Sequence, residues 1–277
     1  MIWQTTRFTI NLAMPRVMGI VNVTPDSFSD GGAHADTQRA IAHCERLLTE
    51  GADMLDIGGE STRPGARAVP EAEELARVLP VLDAAIRLGC PVSVDTRHAA
   101  VMRAVLDRGA DIINDINALQ APGALAAVGS HPSCGVCLMH MRGSPESMQE
   151  RPEYDDVLAE VGAFLRERSA CLQAAGVAAE RIVLDPGIGF GKSVAHNLAL
   201  LARQAELLTL GHPLLVGWSR KSTLGAITGR DVTLRGPASL AAALAAVQGG
   251  AHIVRVHDVA ATVDALKVWR AAGLGPR

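Results

Sequence analysis

Short apolar segments of strand length recur along the chain, and each is followed by a turn and then by a longer segment rich in Ala and Leu. Apolar runs bounded by turn residues are typical of buried strands, and the longer segments are typical of helices. The pattern predicts eight strands, at residues 17–23, 54–57, 91–94, 112–114, 136–139, 182–184, 214–216 and 253–256. It predicts helices between them at residues 36–50, 71–88, 99–108, 157–175, 196–210 and 238–248.

Eight strands that alternate with helices over about 250 residues indicate an α/β protein with a (β/α)8 TIM barrel. A doubly wound parallel sheet is the alternative, because its buried strands have the same apolar character. Polar residues stand at or just after nearly every strand end, at Asn22, Asp56, Asp95, Asn114, His140, Asp185, Lys221, Arg255 and His257. They favour the barrel, where the ends of all strands converge on one mouth. We therefore predict a single barrel domain over residues 1–277, with a short N-terminal β-hairpin around residues 8–11 that closes the opposite end.

The composition excludes several classes of protein. Hydrophobic residues make up 48% of the 277 residues and charged residues 20%, which predicts a large core rather than a disordered chain. A net charge of −3 and an aromatic content of 3% argue against a nucleic-acid partner, because they provide neither a basic surface nor faces for base stacking. The apolar runs are too short to span a membrane and the N-terminus lacks a signal-peptide pattern, so we expect a cytoplasmic protein.

Five cysteines are too few and too scattered for a disulfide scaffold. Cys134 and Cys137 form a CxxC pair, but no second pair accompanies them. We therefore expect reduced thiols in or near the core rather than a zinc or redox site.

The loops after the first two predicted strands, residues 22–32 and 58–65, are polar and rich in glycine. Each is compatible with ordinary turn chemistry, but side by side at a barrel mouth they resemble mobile lids. The first offers amide and carboxylate oxygens of the kind that Mg²⁺ prefers, and the second offers Arg63 for a phosphate.

Two carboxylates, Asp95 and Asp185, follow buried strands and are predicted to emerge into the same cavity, with Asn114 between them. Each aspartate alone is equally compatible with a cap on the following turn. Together the three side chains offer acceptors and amide donors for the edge of a planar, nitrogen-rich heterocycle. A fixed carboxylate would also stabilise a carbon that becomes cationic in the reaction.

Cationic and hydroxyl residues lie at or after the carboxyl ends of the last two predicted strands, 214–216 and 253–256. Lys221 and Ser222 stand where a strand gives way to a helix, a place where barrels bind anions. Arg255 and His257 are two residues apart and face the same side of a strand, which suits a clamp for a diphosphate. A structural histidine is the alternative at that position. The segment 185–192 lacks the spacing of a nucleoside-triphosphate loop.

Eight motifs occur in order over almost the whole chain. They are MGIVNVTPDSFSDGG (18–32), DIGGESTRPG (56–65), VDT (94–96), NDINAL (114–119), MHMRGSPESMQ (139–149), DPGIGFGK (185–192), WSRKS (218–222) and RVHDV (255–259). With these motifs the chain closely resembles the bacterial dihydropteroate synthases, the pterin-binding family of folate biosynthesis. The resemblance implies a transferase that joins 6-hydroxymethyl-7,8-dihydropterin diphosphate to 4-aminobenzoate and releases pyrophosphate and 7,8-dihydropteroate.

The resemblance also implies roles for the residues that hold the diphosphate. Asn22 corresponds to the Mg²⁺ ligand, which makes Mg²⁺ the expected cofactor. Thr62, Arg255 and His257 correspond to the other anchors, and Arg63 closes from the second loop.

For the pterin, the resemblance implies that Asp95, Asn114 and Asp185 read the ring edge, that Met139 lines the pocket and that Lys221 contacts the ring. Asp95, Lys221, Arg255 and His257 are the implied catalytic residues, and no protein nucleophile is needed.

The amine substrate is expected between Phe28, Pro64, Phe190 and the stem of Lys221, with its carboxylate at Ser222. Sulfonamides, which mimic 4-aminobenzoate, are expected to compete at this site. The family is usually dimeric, so we expect a homodimer, for which the Ala- and Leu-rich segment 238–247 is a candidate interface.

Three other functions stay open at this point. A pterin-dependent methyltransferase shares the barrel and the pterin site, a non-catalytic paralogue would bind a pterin without turnover, and a Schiff-base aldolase would use Lys221.

Overall fold

The computed structural model describes residues 1–24, 32–63, 65–150 and 152–275. Its strands are β1 (Ile2–Gln4), β2 (Thr9–Asn11), β3 (Arg16–Asn22), β4 (Met54–Gly58), β5 (Val92–Asp95), β6 (Ile112–Asp115), β7 (Gly135–Met139), β8 (Ile182–Asp185), β9 (Leu215–Val216) and β10 (Ile253–Val256). Its helices are α1 (Gly32–Thr49), α2 (Glu71–Ala85), α3 (Ala99–Asp107), α4 (Ala124–Gly129), α5 (Val157–Ala174), α6 (Val194–Ala202), α7 (Ser222–Thr228), α8 (Gly236–Gln248) and α9 (Val259–Ala271).

Strands β3 to β10 form one parallel sheet in the order β8-β7-β6-β5-β4-β3-β10-β9. A parallel bridge between Leu184 and Leu214 joins the two edges and closes the sheet into a barrel. The predicted (β/α)8 barrel is therefore confirmed, and the doubly wound sheet is wrong because such a sheet keeps two free edges.

The predicted helix over residues 196–210 is only partly α-helical. Helix α6 ends at Ala202, and residues 204–210 wind as a 3-10 helix. Arg203, between the two, has a backbone conformation of φ −109° and ψ 11°, outside the α-helical range. The helix expected to begin at Lys221 and Ser222 is α7, whereas the short helix α4 and the last helix α9 were not among the predicted elements.

The lower half of the barrel is filled by apolar side chains that point inward from alternate strand positions. Met18, Met54, Ile112 and Ile253 are fully buried in this layer. Because both faces of each strand are covered, the strands are apolar along their whole length. The polar residues occupy the next layers, toward the mouth.

The N-terminal hairpin of β1 and β2 closes the lower end, as predicted. Trp3 on β1 is fully buried against the inward-facing side chains, and its indole N–H donates to the carbonyl of Arg181 at 2.9 Å. Next to the hairpin, Arg7 donates to both carboxylate oxygens of the buried Asp111, at 3.0 and 2.6 Å. The hairpin is therefore anchored by packing and by a largely buried ion pair.

The cysteines agree with the expectation of reduced thiols. Cys44, Cys90, Cys134 and Cys137 are buried, Cys171 is half-buried, and each is a free thiol. Among the helices that the structure describes, none is long and apolar enough to cross a membrane.

Candidate active site

A cavity of about 940 Å³ opens at the mouth of the barrel, where the carboxyl ends of the strands meet. Its lining includes twelve of the predicted site residues: Asn22, Thr62, Arg63, Asp95, Asn114, Met139, Asp185, Phe190, Lys221, Ser222, Arg255 and His257. Phe28 and Pro64, the other two, lie outside the described residues. The strand register thus brings together side chains that are up to 235 positions apart, from Asn22 to His257.

Arg255 is the centre of an ionic cluster in this cavity. Its Nε donates to Asp56 Oδ2 at 2.6 Å, and its Nη2 donates to Asp95 Oδ2 at 2.9 Å. Asn114 Nδ2 donates to the same Asp56 oxygen at 3.1 Å, so Asp56 orients both the arginine and the amide. Two carboxylates share one guanidinium, which leaves a net charge of −1 when both are ionised.

Asp95 has the most exposed carboxylate of this cluster. Burial raises the pKa of Asp95 to about 7, with Arg255 opposing the shift and the charge of Asp56 adding to it. The Asp95 carboxylate accepts a hydrogen bond from Arg255, and helix α3 begins after His98 rather than after Asp95. The alternative role of Asp95 as a capping residue is therefore not supported.

Asp185 and Lys221 both line the cavity, and their charges interact. Asp185 Oδ1 accepts from the N–H of Gly187 at 2.7 Å, so one oxygen does cap its own turn. Burial raises the pKa of Asp185 to about 6 and lowers the pKa of Lys221 to about 8. The Lys221 ammonium lies 4.1 Å from the centroid of the Phe190 ring, where a cation–π contact holds it.

The segment 185–192, after β8, is shaped by glycine and held by one lysine. Gly187 has φ +68°, and a Cβ at this position would collide with the carbonyl oxygen of His140. Lys192 Nζ is buried and donates to the carbonyls of Gly187 and Phe190, at 2.9 and 3.0 Å. Two further contacts join it to His140, at Nδ1 (2.9 Å) and at the carbonyl oxygen (3.3 Å). The lysine therefore organises its own loop through these four contacts.

His257 follows β10 and contacts Ser219, which lies in the segment after β9. The Ser219 hydroxyl lies 2.9 Å from His257 Nδ1 and accepts from the backbone N–H of His257 at 3.2 Å. Burial lowers the pKa of His257 to about 3, with Arg255 and Arg220 acting in the same direction. The imidazole is therefore neutral at physiological pH.

The second loop, after β4, carries Thr62 and Arg63 and is held in place by hydrogen bonds to Glu60, which also lines the cavity. Arg97 forms two hydrogen bonds to the Glu60 carboxylate, both at 2.9 Å, and Glu60 also accepts from the N–H of Val69 at 3.0 Å. Burial would raise the pKa of Glu60, but these hydrogen bonds outweigh it and the pKa is lowered. The start of this loop is thus fixed, whereas Arg63 itself is exposed.

Asn22, which the resemblance assigns as the metal ligand, ends β3 and lines the cavity. The described part of the chain holds no group of three or more His, Cys, Asp or Glu side chains that could bind a metal. A single amide oxygen fits Mg²⁺ when the other ligands are substrate phosphates and water, which is how this ion is commonly bound.

Sequence reasoning did not single out Asp56 or Ser219 as site residues. The signal for Asp56 was present, because a charged residue inside the apolar strand MLDIG must have a buried partner. Ser219 lies within the motif WSRKS, but only the fold shows that it contacts His257.

The chain is similar to known proteins over almost its whole length. The family model described as pterin binding enzyme matches residues 18–257. Dihydropteroate synthase of Neisseria meningitidis serogroup C is 53% identical to the chain over 277 residues, covering 99% of this chain and 98% of that protein.

Two solved structures are similar over nearly the whole chain. Dihydropteroate synthase of Xanthomonas albilineans with 4-aminobenzoic acid has a TM-score of 0.91 and 54% identity, over 97% of this chain and 96% of that one. Dihydropteroate synthase of Yersinia pestis in a sulfonamide drug complex has a TM-score of 0.93 and 48% identity, over 99% of both chains.

Proposed function

The chain belongs to the family of pterin-binding enzymes, and we infer that it is a transferase that makes 7,8-dihydropteroate. It joins 6-hydroxymethyl-7,8-dihydropterin diphosphate to 4-aminobenzoate and releases pyrophosphate. The observation that carries this function is that one cavity is lined by two kinds of chemical group. The acidic half of the lining consists of the carboxylate and amide groups of Asp95, Asn114 and Asp185, and the other half includes the cationic or donor groups of Arg63 and His257.

We propose that the acidic half binds the pterin. Carboxylate oxygens accept hydrogen bonds from the N–H groups of the heterocycle, and the amide of Asn114 has a fixed orientation because it donates to Asp56. Met139 is buried at the end of β7 and covers a face of the ring. Lys221, held by Phe190, also contacts the ring.

We propose that the other half takes the charge of the leaving diphosphate. Arg255 and His257 donate hydrogen bonds to it, Thr62 anchors it, and Arg63 closes over it from the second loop. Asn22 would hold Mg²⁺ beside these groups, and when bound the ion supplies further positive charge to the departing oxygens.

The reaction then needs no protein nucleophile. The C–O bond to diphosphate breaks, and Asp95 stabilises the pterin carbon that becomes cationic. The neutral arylamine attacks this carbon, the C–N bond forms, and the nitrogen loses a proton to solvent. Ser222, at the start of α7, and the ring of Phe190 define the amine site in this proposal.

The competing functions have weaker support. A methyltransferase has no use for the diphosphate half of the cavity, and the named relative with 53% identity is a dihydropteroate synthase. A Schiff base at Lys221 draws on one observation, the pKa of about 8 that burial causes. Reduction with borohydride in the presence of a carbonyl substrate would trap it, and we expect no trapped adduct.

The direct test is pyrophosphate release by the purified protein with the dihydropterin diphosphate and Mg²⁺, with and without 4-aminobenzoate. We expect release that depends on the amine, yields dihydropteroate and is inhibited by a sulfonamide. Binding of the diphosphate substrate without release would favour the non-catalytic paralogue, and neither binding nor release would overturn the pterin site.

We propose further that the protein is a cytoplasmic homodimer. Ile227, Val232 and Leu234, just before α8, are exposed apolar residues and offer a surface for a second copy. Much of α8 itself is turned inward, since Ala242, Ala246 and their neighbours are buried. Sedimentation of the protein and of an Ile227→Glu variant tests the dimer.

A further inference from the structure

Ser219 is a buried hydroxyl in the wall of the cavity, and the proposed reaction gives it no task. It lies between β9 and α7, is only 7% exposed, and contacts a residue 38 positions away. Its oxygen lies 2.9 Å from His257 Nδ1 and accepts from the His257 backbone N–H at 3.2 Å. The Ser219 side chain therefore contacts both the backbone and the ring of His257.

The hydrogen atoms in this contact can be assigned by counting donors and acceptors. A hydroxyl has one hydrogen and two lone pairs, and a backbone N–H can only donate. The His257 backbone N–H therefore occupies one lone pair of Ser219. Among the contacts that the structure describes for the hydroxyl, His257 Nδ1 is the one acceptor that its hydrogen can reach.

The charge state of the ring completes the assignment. Burial lowers the pKa of His257 to about 3, Arg255, Arg220 and Lys221 act in the same direction, and Asp258 opposes them. A neutral imidazole carries a single hydrogen. If Nδ1 accepts from Ser219, that hydrogen is on Nε2.

We propose that Ser219 is a positioning residue that fixes His257 as the Nε2–H tautomer, so that the ring donates one hydrogen bond to an anionic oxygen in the cavity. The other tautomer would turn the lone pair of Nε2 toward that oxygen and repel it. This inference rests on the proposed function for the identity of the anion, a phosphate oxygen of the leaving group. The tautomer itself can be measured in the free protein.

The experiment uses the full-length protein with ¹⁵N-labelled histidine, and long-range ¹H–¹⁵N spectra read the tautomer of each ring. The signal of His257 is assigned by its loss in His257→Gln. We expect a pyridine-like Nδ1 and a protonated Nε2 in the wild type, and a mixture of tautomers in Ser219→Ala. We expect kcat/KM for the diphosphate substrate to fall about tenfold in Ser219→Ala, the equivalent of about 1.4 kcal/mol and thus of one ordinary hydrogen bond.

Two variants distinguish the positioning of the His257 ring by Ser219 from a general stabilisation of the segment 218–222. Ser219→Thr keeps the hydroxyl and is expected to restore both the tautomer and most of kcat/KM. Ser239 is the matched control, because its hydroxyl accepts from the Arg220 N–H at 3.0 Å and so supports the same segment without contacting His257. Ser239→Ala is expected to lower stability and to leave the tautomer unchanged.

An Nδ1–H tautomer in the wild type would overturn the proposal. So would an unchanged tautomer in Ser219→Ala, or a change of equal size in Ser239→Ala. Failure of the proposed function is distinguishable, because a wild-type protein that releases no pyrophosphate would still show the tautomer and its response to Ser219→Ala.

Discussion

Replacement of Asp95 by Asn tests the electrostatic part of the mechanism. The carboxylates of Asp56 and Asp95 and the guanidinium of Arg255 carry a net charge of −1, and Asp95→Asn reduces it to zero while keeping the shape of the side chain. A unit charge about 5 Å from a cationic carbon contributes roughly 3 kcal/mol at an effective dielectric constant of about 20. The expected loss in kcat is therefore on the order of 10²-fold.

Asp56→Asn is the matched control, since it removes the same charge from the same cluster. Asp56 pairs with Ser93 in the strand register, and Asp95 pairs with Gly58, so Asp56 lies two residues deeper in the barrel. Two residues of strand correspond to about 6.6 Å, which roughly halves the interaction with the cationic carbon. We expect a loss of about tenfold in kcat, provided that thermal unfolding shows the variant to be folded.

The assay measures pyrophosphate release for kcat and calorimetric titration for the affinity of the diphosphate substrate. In Asp95→Asn, kcat is expected to fall far more than the affinity, because the carboxylate acts on charge that develops only in the transition state. An equal loss in both would mean that Asp95 merely binds the pterin. A loss in Asp56→Asn as large as that in Asp95→Asn would refute the dependence on distance.

The same pair of variants predicts a dependence on pH. Burial raises the pKa of Asp95 to about 7, so protonation removes its charge and kcat/KM of the wild type is expected to fall as the pH drops below about 7. The charge of Asp56 contributes to that raised pKa, so the acid limb is expected at lower pH in Asp56→Asn. An acid limb that persists unchanged in Asp95→Asn would assign it to another group.

Three further predictions concern the loops and the lower end of the barrel. Lys192→Met removes the ammonium that binds the carbonyl of Phe190, so we expect the KM for 4-aminobenzoate to rise about tenfold. A loss of stability with an unchanged KM would contradict this expectation. Arg7→Met removes the charged partner of the buried Asp111 carboxylate, which keeps only backbone N–H donors. Urea denaturation is expected to show a loss of roughly 3 kcal/mol in the free energy of unfolding, with kcat unchanged because the pair lies at the opposite end of the barrel. If the two lids build the amine site, calorimetry is expected to detect 4-aminobenzoate binding only after the diphosphate substrate, and tight binding to the free protein would contradict that order.

The sequence by itself determined the architecture and the location of the mouth. Strands covered on both faces must be apolar throughout, so eight short apolar runs separated by helical segments could be recognised without a structure. Parallel strands direct all their carboxyl ends to one side, so the polar residues after them were expected to share a cavity. The resemblance then assigned individual roles, because its motifs coincide with those strand ends.

Only the tertiary structure decided which of these groups are partners. Arg255 pairs with Asp56 and Asp95, which are 199 and 160 positions away, and Ser219 meets His257 across neighbouring strand ends. Lys192 turns into its own loop, although its motif is as rich in glycine as a phosphate-binding loop. Local propensity sets the period of a strand or helix, but ion pairs and hydrogen bonds form between side chains that the barrel register brings within about 3 Å of each other. That register is a property of the closed sheet as a whole, and no single segment of the sequence contains it.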